Sequence, residues 1–213
     1  MSEFRRPPVP GSYGAKRTGR HLLRYDGDVP APEPLIWTMA FQSARQFVVE
    51  RHGEAGWAKL RDALRARYDI ALPDGFETGG WLPTLWFTTA LNVGRDLFEE
   101  RDFHERFGWT AAQYEMSWMH RVALRFTSPL WLLERGRDYW ERAHNTGRWE
   151  IEGRKGWVRG TLRDFGVVDA AYCETLRAWL LRACLMTGAS RTFVAHRACR
   201  GRGDDACVFE GTW

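Results

Sequence analysis

His196-Arg-Ala-Cys199-Arg-Gly-Arg-Gly-Asp-Asp-Ala-Cys207 is the stretch whose reading decides the fold. Taken with Cys173 it spells C-x22-H-x2-C-x7-C, and all four cysteines of the chain fall between positions 173 and 207. Thiolates and a neutral imidazole are ligands that Zn²⁺ prefers, and four of them close a tetrahedral structural site. The metal ligands expected are therefore Cys173, His196, Cys199 and Cys207, around a structural Zn²⁺. Gly201 and Gly203 accept positive φ, and Asp204 and Asp205 are turn formers. The segment between Cys199 and Cys207 should reverse and bring the two sulfurs together.

Two other accounts of these cysteines stand beside this one. Cysteine often packs as a small hydrophobe, but a polar, glycine-rich turn is a poor place to bury one. A Cys199–Cys207 disulfide requires an oxidising compartment. One tension is geometric: in a straight strand, positions three apart face opposite sides. The backbone must therefore bend between His196 and Cys199. Cys184 follows Cys173 by about three helical turns, about 16 Å along the axis. It cannot share the same ion and reads as core.

Moving outward, the segments around the motif alternate between strand and helix. Trp149 and Ile151 alternate with Arg148, Glu150 and Glu152, residues 153–156 form a turn, and residues 157–163 return as a second strand. Asp169 is placed to cap a helix over 170–187 that carries Cys173, Leu176, Leu180 and Cys184, with Gly188 ending it. Residues 191–198 and 206–212 read as two further strands. Upstream, the apolar spacing predicts helices over 34–51, ended by Gly53, and over 54–68. A third, over 81–99, is apolar on most sides and should be central, with Pro83 in its first turn and Gly94 admitting a close neighbour. Thr110 and Gln113 suggest a capping box after Gly108. The next helix would carry Trp118, Met119, Val122 and Phe126, with His120 among them. Ser128-Pro129 opens one more helix, with Leu132, Leu133, Trp140 and Ala143, ended near Gly147. The expectation is an α+β domain over 33–213, a helical N-terminal part packed on an antiparallel sheet that ends in a zinc hairpin. Residues 1–32, rich in proline and arginine, read as a disordered basic tail.

The cysteine pattern resembles the C-terminal part of the four-vinyl-reductase domain, zinc-binding type. Cys173, Cys199 and Cys207 match that family's helix cysteine and hairpin cysteines, and His196 stands where an acidic ligand is usual. Leu72-Pro73 before an aromatic run, with a helix-rich first half and a mixed second half, also resembles an uncharacterised myxobacterial family of about two hundred residues. The first resemblance implies a stand-alone ligand-binding domain, a sensor or carrier. The ligand would be a hydrophobic or aromatic small molecule, and the protein a homodimer. A protein-interaction scaffold, as in related vesicle-tethering subunits, and an accessory factor in tetrapyrrole metabolism are the alternatives.

Composition narrows the rest. The chain has 213 residues, a net charge of +4 and twelve tryptophans, which ask for a large core, an aromatic pocket or an interface. No apolar run reaches the roughly eighteen residues of a membrane span, and the N-terminus lacks the apolar core of a secretory signal. A cytoplasmic protein without direct nucleic-acid binding is expected. No G-x-G-x-x-G opens a helix, and G-x4-G-K-[ST], H-E-x-x-H and G-x-S-x-G are all missing. A four-ligand site has no position for a reacting water. No catalytic residues are assigned, and an enzyme is not expected.

Overall fold

The computed structural model describes residues 32–116 and 124–213. The tail reading of residues 1–31, and that of Trp118, Met119, His120 and Val122 as a helix face, lie outside the described residues. Within them the fold is α+β with an antiparallel sheet.

The chain starts with a short strand, β1 (Leu35–Trp37), where the spacing predicted helix. It pairs antiparallel with β2 (Trp81–Pro83), Ile36 opposite Leu82. Both strands were read as helix because their apolar residues join smoothly to the helices that follow. Between them runs α1 (Met39–Tyr68), broken at Gly53, whose φ of 70° and ψ of 179° no helix can hold. The expected division at Gly53 is thus present as a sharp break with helix on both sides.

The central apolar helix is α2 (Thr84–Phe98), beginning after Pro83 instead of around it. It is buried along Phe87, Leu91, Val93 and Gly94, whereas Leu85 points to solvent. Gly94 does admit a neighbour: a Cβ there would lie 2.7 Å from the ring of Phe103. Phe103 opens α3 (Phe103–Glu115), which runs unbroken through Gly108. The expected capping box at Thr110 is not formed. Thr110 sits inside the helix and its Oγ1 donates to the Arg106 carbonyl at 2.7 Å. Gly108 is needed for packing, since a Cβ there would sit 2.0 Å from the carbonyl oxygen of Thr175 on the facing helix.

The second half follows the sequence closely. Helix α4 (Pro129–Ala143) has Ser128 as its cap, the Oγ accepting from Trp131 N at 3.2 Å. Strands β3 (Arg148–Arg154) and β4 (Trp157–Arg163) form a hairpin. Helix α5 (Ala170–Met186) is capped by Asp169, whose Oδ1 accepts from Ala171 N and Tyr172 N. Strands β5 (Phe193–Ala198) and β6 (Cys207–Thr212) complete a four-stranded antiparallel sheet in the order β3-β4-β6-β5. One face of this sheet carries Trp149, Val158, Val194 and Phe209 into the core, against α4 and α5. Phe47, Phe87, Phe103 and Phe107 knit α1, α2 and α3 together edge to face. No helix among the described residues is long and apolar enough to cross a membrane.

Candidate functional site

The predicted ligand residues converge. One donor atom each from Cys173, His196, Cys199 and Cys207 can be chosen so that all lie within 4.8 Å of one another. Cys173 Sγ stands 3.5 Å from Cys207 Sγ and 3.8 Å from Cys199 Sγ. With metal–sulfur bonds of about 2.3 Å, two sulfurs of a tetrahedral centre lie about 3.8 Å apart. All four cysteines are free thiols, so the disulfide alternative does not hold. Cys184 is apart from the cluster, in the core, and burial pushes its thiol up to about 12.

The local backbone explains how the sequence achieves this. His196 pairs with Phe209 but Ala198 pairs with Val208, so Arg197 is an extra residue, a β-bulge. That bulge supplies the bend required between His196 and Cys199. A single 3-10 turn (Arg200–Arg202) and Gly203, at φ 96°, then reverse the chain. The Asp204 carboxylate accepts from Cys199 N at 2.7 Å and closes the loop. His196 stacks on Phe209 with centroids 4.6 Å apart, and its side chain is only 2% exposed. Nδ1 lies 3.7 Å from Glu174 Oε1, beyond hydrogen-bond distance, and neither ring nitrogen makes a hydrogen bond within 3.5 Å to a nitrogen or oxygen. A buried imidazole so poorly satisfied costs free energy unless something else binds it. Cys207 is held down to about 4 chiefly by the bond that the Cys173 thiol donates to it, which correspondingly raises Cys173. The cluster thus favours a thiolate, the form that binds metals.

The same sheet face continues from Cys207 through Phe209 to Gly211 and there lines a central cavity of about 130 Å³. Its walls come from β1, α1 to α5 and all four strands of the large sheet. They are apolar and aromatic, with Phe87, Phe107, Trp140, Trp149, Trp179 and Phe209 prominent. Four tryptophans, Trp37, Trp140, Trp149 and Trp179, thus line the cavity.

A carboxyl and an imidazole interrupt this wall, beside the hydroxyls of Tyr139, Tyr172 and Thr175. Glu115, at the end of the α3 stripe Phe107–Ala111–Glu115, is half-buried. Its Oε2 accepts from Trp179 Nε1 at 2.9 Å and from Tyr139 OH at 3.0 Å, and the Ser43 hydroxyl also donates to the carboxyl. Burial pushes this carboxyl up to about 7 against the pull of the three donors. His144, just after α4, stacks on Trp140 at 3.7 Å and its Nε2 meets Tyr172 OH at 3.0 Å. Burial drives it down to about 3, so the ring is neutral. His104, one turn before Phe107, is also buried, with Nε2 unpartnered, but it is not part of the cavity wall. Sequence reading missed Glu115 and His144. An acidic residue continuing an apolar i, i+4, i+8 stripe was the available signal for the first; nothing in the sequence marked the second.

Similarity to known proteins was sought once this geometry was clear. No protein-family model matches the chain, and no curated protein matches it. Solved structures do. An H-NOX protein from S. oneidensis in the Fe(II)NO ligation state superposes with a TM-score of 0.63 at 14% identity, covering 83% of this chain and 98% of that one. The fold is shared with H-NOX proteins. An Fe(II) unliganded H-NOX protein mutant from K. algicida gives 0.59 at 10% identity, over 83% and 96% of the two chains. A structure described as modulating heme redox potential through protein-induced porphyrin distortion gives 0.58 at 8% identity, over 84% and 100%.

These H-NOX likenesses correct two expectations. The neighbours by structure are H-NOX proteins and not four-vinyl-reductase domains, so that resemblance does not stand. The Zn²⁺ expectation falls with it, because the metal named for the matched structures is Fe(II) or heme and no observation identifies zinc here. The cysteine spacing covers a small part of the fold, whereas the superposition spans 83% of the chain.

Proposed function

We propose that this chain is a small-molecule-binding module, a sensor or carrier, whose ligand occupies the central cavity. A metal ion held by Cys173, His196, Cys199 and Cys207 would fix one end of the cavity's sheet wall. The observation that carries the reading is the placement of a half-buried carboxyl and a buried imidazole, each held by hydrogen bonds, in a largely apolar wall built from every layer of the fold. Pockets of that character, apolar with a few convergent polar groups, are the usual seats of small ligands. Four free thiols suit a reducing compartment, and the cytoplasm is part of this proposal.

Heme, the group named for a matched structure, does not suit this cavity. Ligand pockets typically enclose about 300–1,000 Å³, against about 130 Å³ here. Among the described residues that line the cavity there is no Lys or Arg to meet a porphyrin's carboxylates, and the acidic side chain is Glu115. His144, the imidazole in the wall, already has Nε2 engaged by Tyr172. We therefore assign no heme chemistry to the chain. The ligand favoured is smaller, hydrophobic or aromatic.

Native mass spectrometry of protein purified without added ligand tests the cavity: a retained small molecule is expected, and fluorescence of the lining tryptophans should respond when small aromatics are added. No retained mass and no response would remove the reading. The metal is tested separately. Elemental analysis of folded protein should find about one equivalent of bound metal. Cys199→Ser and Cys207→Ser should each lose it and forfeit several kcal/mol of stability, because binding energy at such a site is folding energy. A trace of metal well below one equivalent in folded wild-type protein would remove the site.

A further inference from the structure

Glu115 lies where the central cavity meets a second recess. That recess, a groove of about 300 Å³ on the outer side of α4, shares Glu115, Gly136, Tyr139 and Trp179 with the cavity. Gly136 is the low point of the wall between them, since a Cβ added there would meet nothing within 4 Å. The carboxyl is thus reachable in principle from both spaces. Its surroundings are chemically one-sided. Tyr139, Trp179 and Ser43 are neutral donors, and among the described residues no cation acts on it. Arg135, in the outer groove, lies over the ring of Trp131 at 5.7 Å and forms no ion pair with Glu115. Three donors aimed at one carboxyl favour its ionised form, against the burial that favours the neutral one. A buried carboxylate is stable when it also has a cation.

Resting on the small-molecule reading above, we propose that Glu115 is the recognition group for a small organic cation, an amine carrying an aromatic or alkyl body. Such a ligand enters from the groove past Gly136, places its ammonium on Glu115 and lays its apolar part against Tyr139 and Trp179. The rings suit this occupant, since aromatic faces attract cations as well as apolar surface. The stacked pair of Tyr139 and Trp179, centroids 5.8 Å apart, sets both donors on one carboxyl.

Three probes of one scaffold, 2-phenylethylamine, 2-phenylethanol and phenylacetate, test this by calorimetry on the full chain. The amine should bind at least about ten-fold tighter than the alcohol, as a charge-assisted bond is stronger than a neutral one, and phenylacetate should bind weakest. Glu115→Gln should erase the preference for the amine, and Gly136→Leu, which fills the low point of the wall, should weaken all three. Alcohol binding equal to or tighter than amine binding in the wild type overturns the proposal and leaves the cavity reading intact. A preference that survives in a folded Glu115→Gln variant also overturns it. Failure of all three probes to bind, with no molecule retained on purification, removes both. Should Glu115→Gln not fold, the wild-type ranking alone decides.

Discussion

At the scale of single residues, Glu115 and His144 make opposite demands on pH. A free glutamate titrates near 4.5, and Glu115 in the folded chain near 7. Its contribution to stability is therefore complete below pH 4.5 and is lost as pH rises through 7. A free histidine titrates near 6.5 and His144 near 3. Below 6.5 the unfolded chain takes up a proton that the folded chain refuses, so this group costs stability as pH falls toward 3. Between 4.5 and 6.5 the two slopes oppose each other. Removing one should expose the other. Glu115→Gln, compared with wild type without ligand, should gain about 1.4 kcal/mol of stability per pH unit across that window. Urea unfolding at pH 4.5, 5.5 and 6.5 checks this, and parallel wild-type and variant curves would contradict the assignment. Neither residue announced itself in the sequence. The ligand cysteines did, because a thiol beside a glycine-rich turn has few structural reasons to be there, whereas an isolated Glu or His at a helix end has many.

Among the elements, the second half of the chain was legible and the first was not. Ser128-Pro129 and Asp169 are chemical signals for a helix start, since each side chain satisfies an orphan backbone donor. Strands 148–154 and 157–163 show a period of two with a glycine turn between them. By contrast, β1 and β2 are three residues each and merge into helices of similar apolarity, so periodicity had too few residues to separate them. Thr110 had the letters of a cap, but the helix already ran through it, held by the tight packing of α3 on α5. That packing makes its own prediction. Gly108→Ala places a methyl 2.0 Å from the Thr175 carbonyl oxygen. Neither backbone can yield cheaply, so the helices must separate, at about 2–3 kcal/mol. Chemical denaturation should record that loss. Trp179 fluorescence should change as well, because Trp179 on α5 bonds Glu115 on α3.

For the molecule as a whole, the class of fold followed from the order of elements, but its kinship did not. The cysteine spacing directed attention to one corner, while the superposition with H-NOX structures depends on how the helices and the large sheet of the described residues are arranged around a cavity. Layer order is a property of long-range contacts, to which a motif of four residues is blind. The cavity also leaves room for improvement in stability. Gly136→Ala puts a methyl in open space within α4 and recovers helix propensity of about 0.5–1 kcal/mol. Scanning calorimetry should show a melting temperature higher by about 2–4 °C for each kcal/mol gained. The extra residue at Arg197 carries a last consequence. Excising this one amino acid would make His196–Phe209 and Ala198–Val208 consecutive pairs, so the ladder would close without turning any side chain to the other face. Val194 would keep the interior and Phe193, now 59% exposed, its place outside. What the shorter chain would give up is the local kink and added twist at the approach to Cys199: a straighter strand that aims its end less well at the helix bearing Cys173.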